Sequence, residues 1–299
     1  MGTQTMTSNV QDLKDFLRSA GQAAFVEVAG TRGSTPREKG AYMLVSQQTI
    51  HGTIGGGQLE YMAIDKARQL LRRQAASDRI DVHEVCATLD VPLGPEIGQC
   101  CGGRVEVLIR PVDPVLADEL VDAAERQEER LPHFYIFGGG HVGKALAASA
   151  ALLPLHTVVV ETRAEELEGI SDAVETHLTA MPEAMVRDAP SGTAFAVLTH
   201  DHALDFLIAA EALKRNDTAY VGMIGSKTKK ATFRSWFLKV GGGSEAEFER
   251  LVSPIGGDAV KDKRPTVIAA LAAAEIMTAL AMHASSQAVS MEERVVKSA

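Results

Sequence analysis

The strongest constraint on the fold is a glycine-rich loop that lies between an apolar stretch and a helical stretch. The segment Gly138–Gly143 fits the pattern G-x-G-x-x-G; it follows a predicted strand at His133–Phe137 and opens a predicted helix at Val142–Leu152. Glu161 ends the next predicted strand, 18 positions after Gly143. Such glycines permit a tight turn, a helix N-terminus attracts a phosphate, and an acidic residue can accept a ribose hydroxyl. The pattern favours a phosphate-bearing ligand; the alternative is a nucleotide fold that keeps the loop for another purpose.

Short apolar strands alternate with helices through the second half of the chain. Further strands are predicted at Thr157–Val160, Ala194–Leu198 and Tyr220–Ile224. Further helices are predicted at Leu204–Lys214, Lys229–Val240 and Thr266–His283, and the polar tail Ser285–Ala299 is expected to fray. This alternation is typical of βαβ units, so we predict an α/β fold with a parallel sheet covered by helices on both faces.

The first half has a mixed pattern of helix and strand. Helices are predicted around Val10–Leu17, Leu59–Arg73 and Pro114–Arg126. Strands are predicted at Ala24–Val28, Ala41–Val45, Thr49–Thr53, Ile80–Val85 and Val105–Ile109. Because 299 residues exceed the usual size of one core, we place a solvated linker in the charged run Arg126–Arg130. Residues 1–130 then form a small α+β domain and residues 131–299 the parallel-sheet domain.

Charge and hydropathy exclude several classes of partner. With 30 Lys and Arg against 39 Asp and Glu, the net charge is −9, which argues against nucleic-acid binding. The start, Met1–Gln11, lacks the cationic and apolar parts of a secretory signal. The most apolar stretch, Val267–Met282, is short for a bilayer span and contains Glu275. We therefore expect a cytoplasmic protein that does not bind membranes.

Three unusual loops lie in the first half. Gly30–Gly40 combines glycines and hydroxyls with Arg32, Arg37 and Lys39, which could hold an anion. Gly52–Glu60 contains the triple glycine Gly55, Gly56 and Gly57 and opens a helix, and Gly98–Gly103 contains Cys100 and Cys101. Adjacent cysteines cannot relax into a mutual disulfide, so both are expected as reduced thiols. Their glycine surroundings favour contact with a ligand over plain packing, whereas Cys86 is expected to be a core residue.

Two loops of the second half leave alternatives open. Ser226 is a plausible helix N-cap beside Lys227, so this loop either binds an anion or only caps a helix bearing solvated lysines. The run Thr199–His202 with Asp205 resembles a metal cluster, but its carboxylates fit the first turn of a helix better.

Taken together, these motifs resemble the xanthine dehydrogenase accessory protein family, the molybdenum cofactor insertion chaperones related to carbon monoxide dehydrogenase accessory proteins. The matching stretches are Gly33–Ala41, Gly52–Glu60, Leu93–Gly103, Phe137–Gly143, Thr199–Asp201 and Ile224–Lys229. The resemblance implies a small N-terminal domain followed by a Rossmann-like domain. It also implies binding of molybdopterin-type cofactor and its delivery, in sulfurated form, to a molybdenum hydroxylase client such as xanthine dehydrogenase. A cysteine desulfurase is an implied sulfur source. The chain departs from the family pattern over Gly256–Pro265, and Glu161 stands where aspartate is usual.

The resemblance and the motifs together predict one set of cofactor-binding residues. These are Gly138, Gly140, His141, Gly143, Glu161, Ser226, Lys227, Arg37, Gly55, Gly56, Gly57, Cys100 and Cys101. Cys100 and Cys101 are also the candidates for contact with the molybdenum centre, since thiolates are soft ligands. A nucleotide is a second candidate ligand, and the alternative function is an NAD(P)-dependent oxidoreductase built on Gly138–Gly143. The Ala-rich helix Thr266–His283 suggests a homodimer.

Overall fold

The structure, a computed structural model, describes residues 9–76, 86–94 and 102–298. The chain divides into two compact units, which we call the N-terminal unit and the C-terminal unit, and the division falls between Gln127 and Glu128. The charged run that sequence reasoning assigned to a linker is instead helical as far as Glu129. A run of charged residues is typical both of a solvated linker and of the exposed end of a helix, so the sequence alone did not distinguish them.

The N-terminal unit is a five-stranded antiparallel sheet with helices on both faces. The strands follow the order β3-β2-β1-β5-β4. Their bounds are β1 (Ala23–Arg32), β2 (Tyr42–Ser46), β3 (Ile50–Gly52), β4 (Ala87–Pro92) and β5 (Arg104–Pro111). The helices are α1 (Asn9–Ser19), α2 (Gly57–Ala76) and α3 (Pro114–Glu129).

Alternation along β1 explains why helices cover both faces of this sheet. Val26 and Val28 pack in one buried cluster with Leu59 and Leu71 of α2, while Phe25 packs in the other cluster with residues of α1 and α3. Successive side chains of a strand point to opposite faces, so an apolar run buries both. The prediction of a mixed N-terminal domain is confirmed.

The C-terminal unit is a six-stranded parallel sheet of order β11-β10-β9-β6-β7-β8. Its strands are β6 (His133–Phe137), β7 (His156–Glu161), β8 (Glu175–Leu178), β9 (Ala194–Val197), β10 (Tyr220–Met223) and β11 (Leu251–Val252). Its helices are α4 (His141–Ala150), α5 (Pro182–Asp188), α6 (His202–Lys214), α7 (Lys227–Lys239), α8 (Glu245–Glu249) and α9 (Pro265–Ser298). Counted along the chain, this is the strand order 3-2-1-4-5-6 of the Rossmann fold, whose ligands bind where the order reverses, between β6 and β9. The predicted Rossmann-like domain is confirmed.

Helix α9 corrects two expectations. It is one 34-residue helix that includes the tail expected to fray. Its residues 265–287 are long and apolar enough to cross a membrane by length and composition, so the statement that this stretch is too short is wrong. One face, with Ala269, Ala272 and Ile276, packs in the same buried cluster as residues of α4. This helix therefore contributes part of the core of the C-terminal unit.

Smaller elements complete the comparison with the predicted elements. Strands β4, β8 and β11 and helices α5 and α8 had no predicted counterpart, and the strand predicted at Ile80–Val85 lies outside the described residues. Cys86 is exposed, so its assignment to the core is wrong. It directly precedes β4, an edge strand in which every second residue is exposed to solvent.

Candidate functional site

Two glycines of the loop after β6 are required by the backbone itself. Gly138 has φ +114°, and a Cβ there would lie 2.6 Å from the carbonyl oxygen of Leu198 in the loop after β9. A Cβ on Gly143 would lie 1.8 Å from the carbonyl oxygen of Gly138. Only glycine permits these two close approaches, which hold the loop against the first turn of α4 and against the neighbouring strand.

Gly140 differs from both. It has φ −66°, which any residue adopts, and a Cβ there would meet nothing within 4 Å. It is the N-cap residue of α4, makes no side-chain cap, and is followed by a first turn without an acidic residue, while His141 is exposed. The first N–H groups of a helix have no intrahelical acceptor, and the helix dipole makes this end positive. The loop is thus open to an anion at Gly140 and closed at Gly138 and Gly143.

Glu161 holds the loop from the end of β7. Its buried carboxylate accepts the N–H of Gly139 at 2.8 Å, the N–H of Thr162 at 2.7 Å and its hydroxyl at 3.1 Å, and the N–H of Arg163 at 3.2 Å. Burial by itself raises the pKa of this carboxyl, but the hydrogen bonds outweigh it and hold the pKa below its ordinary value. Oε1 accepts three of these donors, and Oε2 accepts one, the N–H of Gly139. Acceptance of a ribose hydroxyl by Glu161 stays a prediction.

A 3-10 turn at Ala164–Leu167 covers the loop on the side of Gly139. A Cβ on Gly139 would lie 2.5 Å from the carbonyl oxygen of Glu166 in this turn. The same turn carries charge contacts, with Lys144 at 3.8 Å and Arg163 at 3.4 Å from the Glu166 carboxylate. The space beside Gly139 is therefore filled by the chain itself.

A buried ion pair joins the first turns of α6 and α7, the helices that follow β9 and β10. Lys229 donates to the carboxylate of Asp205 and, at 2.9 Å, to the carbonyl oxygen of Ile224. The side chains are 8% and 0% exposed respectively. Asp205 also accepts the N–H of Thr199 at 3.0 Å and its hydroxyl at 2.8 Å. Sequence reasoning missed this role of Lys229, because nothing local marks one lysine of three as the partner of a carboxylate 24 residues earlier.

The other predicted residues of these two loops lie at helix starts. Asp201 caps α6 and accepts the N–H of Ala203 at 2.7 Å, while His200 and His202 are exposed. Ser226 caps α7 and accepts the N–H of Lys229 at 3.2 Å, and Lys227 is exposed. Over the described ranges, no group of three His, Cys, Asp or Glu side chains is arranged to hold a metal ion. The helix-start interpretation of the Thr199–Asp205 stretch therefore agrees with the structure.

The unusual loops of the N-terminal unit meet at one end of its sheet. Ser34 pairs with Gly102 as an isolated bridge, and a Cβ on Gly33 would lie 3.2 Å from the Cα of Gly103. A Cβ on Gly55 would lie 2.7 Å from Cγ of Pro36. The loop Gly30–Gly40, which we call the cationic loop, therefore contacts both the start of β5 and the loop Gly52–Glu60, which we call the triple-glycine loop. Cys100 and Cys101 lie outside the described residues and directly precede Gly102 in the sequence.

Glu60 was not among the predicted site residues, yet it organises the triple-glycine loop. Its Oε1 atom accepts the N–H groups of Ile54 at 3.0 Å, Gly55 at 3.2 Å and Gly56 at 2.9 Å, and the Thr53 hydroxyl donates to the same atom.

The predicted site residues fall into two groups. The structure groups Gly138, Gly140, His141, Gly143, Glu161, Ser226 and Lys227 at the carboxyl edge of the parallel sheet. It groups Arg37 and Gly55, Gly56 and Gly57 in the N-terminal unit.

Comparison with known proteins gives one consistent result. Residues 134–276 match the model of the XdhC Rossmann domain, and residues 16–82 match the model of the XdhC and CoxI family. YqeB of Escherichia coli (strain K12) is 28% identical over 268 residues, which cover 85% of this chain and 43% of that protein. The chain therefore spans less than half the length of this relative. A crystal structure described as a xanthine dehydrogenase from Bacillus halodurans superposes with a TM-score of 0.72 at 18% identity, covering 92% of this chain and 96% of that chain, which shows a shared fold.

Proposed function

Because the chain belongs to the XdhC and CoxI family, we propose that it acts in the maturation of molybdenum hydroxylases by binding molybdenum cofactor of the molybdopterin type. It supports sulfuration of the cofactor and inserts it into a client of the xanthine dehydrogenase type, with a cysteine desulfurase as the sulfur source. It works in the cytoplasm as a homodimer and acts as a chaperone rather than an enzyme.

The observation that carries this proposal is the open face of the glycine loop at Gly140. A pterin cofactor of this type presents a terminal phosphate, and the uncapped first turn of α4 offers N–H groups and a positive dipole end to such a group. A Cβ on Gly140 would meet nothing within 4 Å, so the chain itself does not fill the space in front of this residue. Ser226 and Lys227 lie at the same edge of the sheet, where ligands of this fold bind. When bound, the cofactor supplies the molybdenum centre, and this chain's residues hold and orient it.

The second candidate, an NAD(P)-dependent oxidoreductase, is favoured by the strand order and by the glycine pattern. The details of the loop weigh against it. In dinucleotide sites, the acidic residue after the second strand accepts ribose hydroxyls. Here the Glu161 carboxylate is already engaged by four donors of the chain itself, and the carbonyl oxygen of Glu166 fills the space beside Gly139.

Stoichiometric retention of cofactor is the expected result when the apo-protein is incubated with free molybdenum cofactor and passed through gel filtration. Light scattering on the eluted peak should report the mass of a homodimer. In parallel, the protein is assayed for NAD(P)H oxidation with small carbonyl substrates. If the protein retains no cofactor and oxidises NAD(P)H, our proposal is wrong and the protein is an NAD(P)-dependent oxidoreductase.

The vicinal thiols give a second test. We expect Cys100→Ser or Cys101→Ser to lose cofactor in the same retention assay, because a hydroxyl is a hard ligand and a thiolate a soft one. Cys86→Ser is the matched control, since Cys86 is a free thiol and is exposed. It should behave like the wild type. Full retention by all three variants would mean that the thiol pair makes no contact with the cofactor.

A further inference from the structure

The triple-glycine loop forms a concave anion site that the chain fills with its own carboxylate. Three consecutive glycines have positive φ, at +126° for Gly55, +76° for Gly56 and +67° for Gly57. Such conformations turn successive backbone N–H groups inward, which creates a nest for an anion. Glu60 lies in the first turn of α2, where a negative charge is also favoured by the helix dipole.

The Glu60 carboxylate is held as an anion. Burial by itself raises the pKa of Glu60, but the Thr53 hydroxyl and three backbone N–H groups outweigh it, so that the pKa lies below its ordinary value. These four donors all reach one oxygen atom. The N–H groups of Gly55 and Gly56 are therefore engaged within the chain, and an external ligand would have to displace Glu60 to use them.

The filled nest has a consequence for the cationic loop. A Cβ on Gly55 would lie 2.7 Å from Cγ of Pro36 and 3.5 Å from Cγ of Arg37, so the two loops are in van der Waals contact at this glycine. Arg37 is exposed, and in the described ranges of the chain no carboxylate forms an ion pair with it. A guanidinium suits phosphate and carboxylate groups through paired donors.

We infer that Glu60 is a positioning residue: its carboxylate fixes the triple-glycine loop, and that loop in turn fixes the segment that presents Arg37 to an anionic group of the ligand. This inference rests on the proposed function, in which the ligand is the molybdenum cofactor. In this inference Gly55, Gly56 and Gly57 shape the loop that positions Arg37, and Arg37 is the residue that contacts the ligand.

The first measurement is independent of the cofactor. In the wild-type full chain, the amide resonances of Gly55 and Gly56 should titrate with the Glu60 carboxyl, and in Glu60→Gln they should shift upfield and lose that titration. Inorganic phosphate should shift the side-chain Nε–H resonance of Arg37 in the wild type and not in Glu60→Gln. Glu119→Gln, an exposed carboxylate on α3, is the matched control and should leave these resonances unchanged.

The second measurement uses cofactor retention and chemical rescue. Losing one charge-assisted contact lowers binding affinity by roughly tenfold. We therefore expect Glu60→Gln to bind the cofactor about tenfold more weakly than the wild type, and Glu119→Gln to bind it as the wild type does. Formate added to Glu60→Ala should restore the Gly55 and Gly56 resonances and the retention, whereas chloride at the same ionic strength should not.

These results separate the two proposals. If the wild type retains no cofactor but phosphate shifts the Arg37 resonance only when Glu60 is intact, the proposed function fails and the positioning role stands. If Glu60→Gln binds phosphate and cofactor as the wild type does, or if formate rescues nothing in a folded Glu60→Ala, Glu60 is not a positioning residue.

Discussion

Lys229→Met is expected to destabilise the C-terminal unit by about 3–5 kcal/mol, the usual cost of leaving one member of a buried ion pair without its partner. Asp205 is fully buried, and its remaining donors both come from Thr199, which carries no charge. The loss is measured by urea unfolding followed through Trp236, the single tryptophan of the chain, which lies in α7 against Phe206 and Phe233. This fluorophore reports on the unit that contains the pair.

Lys227→Met is the matched control, since Lys227 lies two positions earlier in the same helix and is exposed. Its stability should stay within about 0.5 kcal/mol of the wild type. The double variant Asp205→Asn/Lys229→Met removes the uncompensated charge and should recover part of the lost stability. Compared with the two single variants in a double-mutant cycle, it gives the coupling energy of the pair. Equal unfolding midpoints for the two lysine variants would contradict this account.

The parallel half of the fold could be predicted because its signals are local and strong. Strand β6, its glycine loop and α4 follow one another within 18 residues, and each has an apolar pattern of its own period. Strand β8, by contrast, is a short edge strand whose residues are largely exposed. It carries no apolar run, so it becomes a strand only by pairing with β7, which local pattern does not reveal.

The chemistry of the site was less accessible to sequence reasoning than its location. The spacing between Gly143 and Glu161 identifies an acidic residue near the loop, and that residue does lie there. Spacing cannot show that backbone N–H groups of the same chain use its acceptors. The same limit applies to Lys229, which only the tertiary fold brings to Asp205. Glu60 could have been considered, because it follows three glycines within one helical turn, and the backbone N–H groups of such a loop can bind an anion.

The stability of the protein should be far more sensitive to a side chain at Gly143 than to one at Gly140, although both glycines belong to the same loop. Gly143→Ala is expected to cost about 3 kcal/mol or more, because its Cβ would lie 1.8 Å from the Gly138 carbonyl oxygen, and backbone must move to admit it. Gly140→Val meets open space at an ordinary φ of −66°. Its loss of stability should stay near or below about 1 kcal/mol, the usual range for an N-cap change.

Cofactor binding should show the reverse pattern, with the stable variant Gly140→Val as the one that cannot bind. Gly140→Val should fold, as shown by a near-wild-type circular dichroism spectrum and Trp236 unfolding curve, and yet lose cofactor in gel filtration, because a branched side chain fills the space the phosphate needs. Gly143→Ala should lose retention only in proportion to the fraction that unfolds. Lowering the temperature should therefore restore retention to Gly143→Ala and leave Gly140→Val unable to bind. A folded Gly140→Val that keeps its cofactor would show that the ligand does not approach this face of the loop, and the glycine pattern would then serve the fold alone.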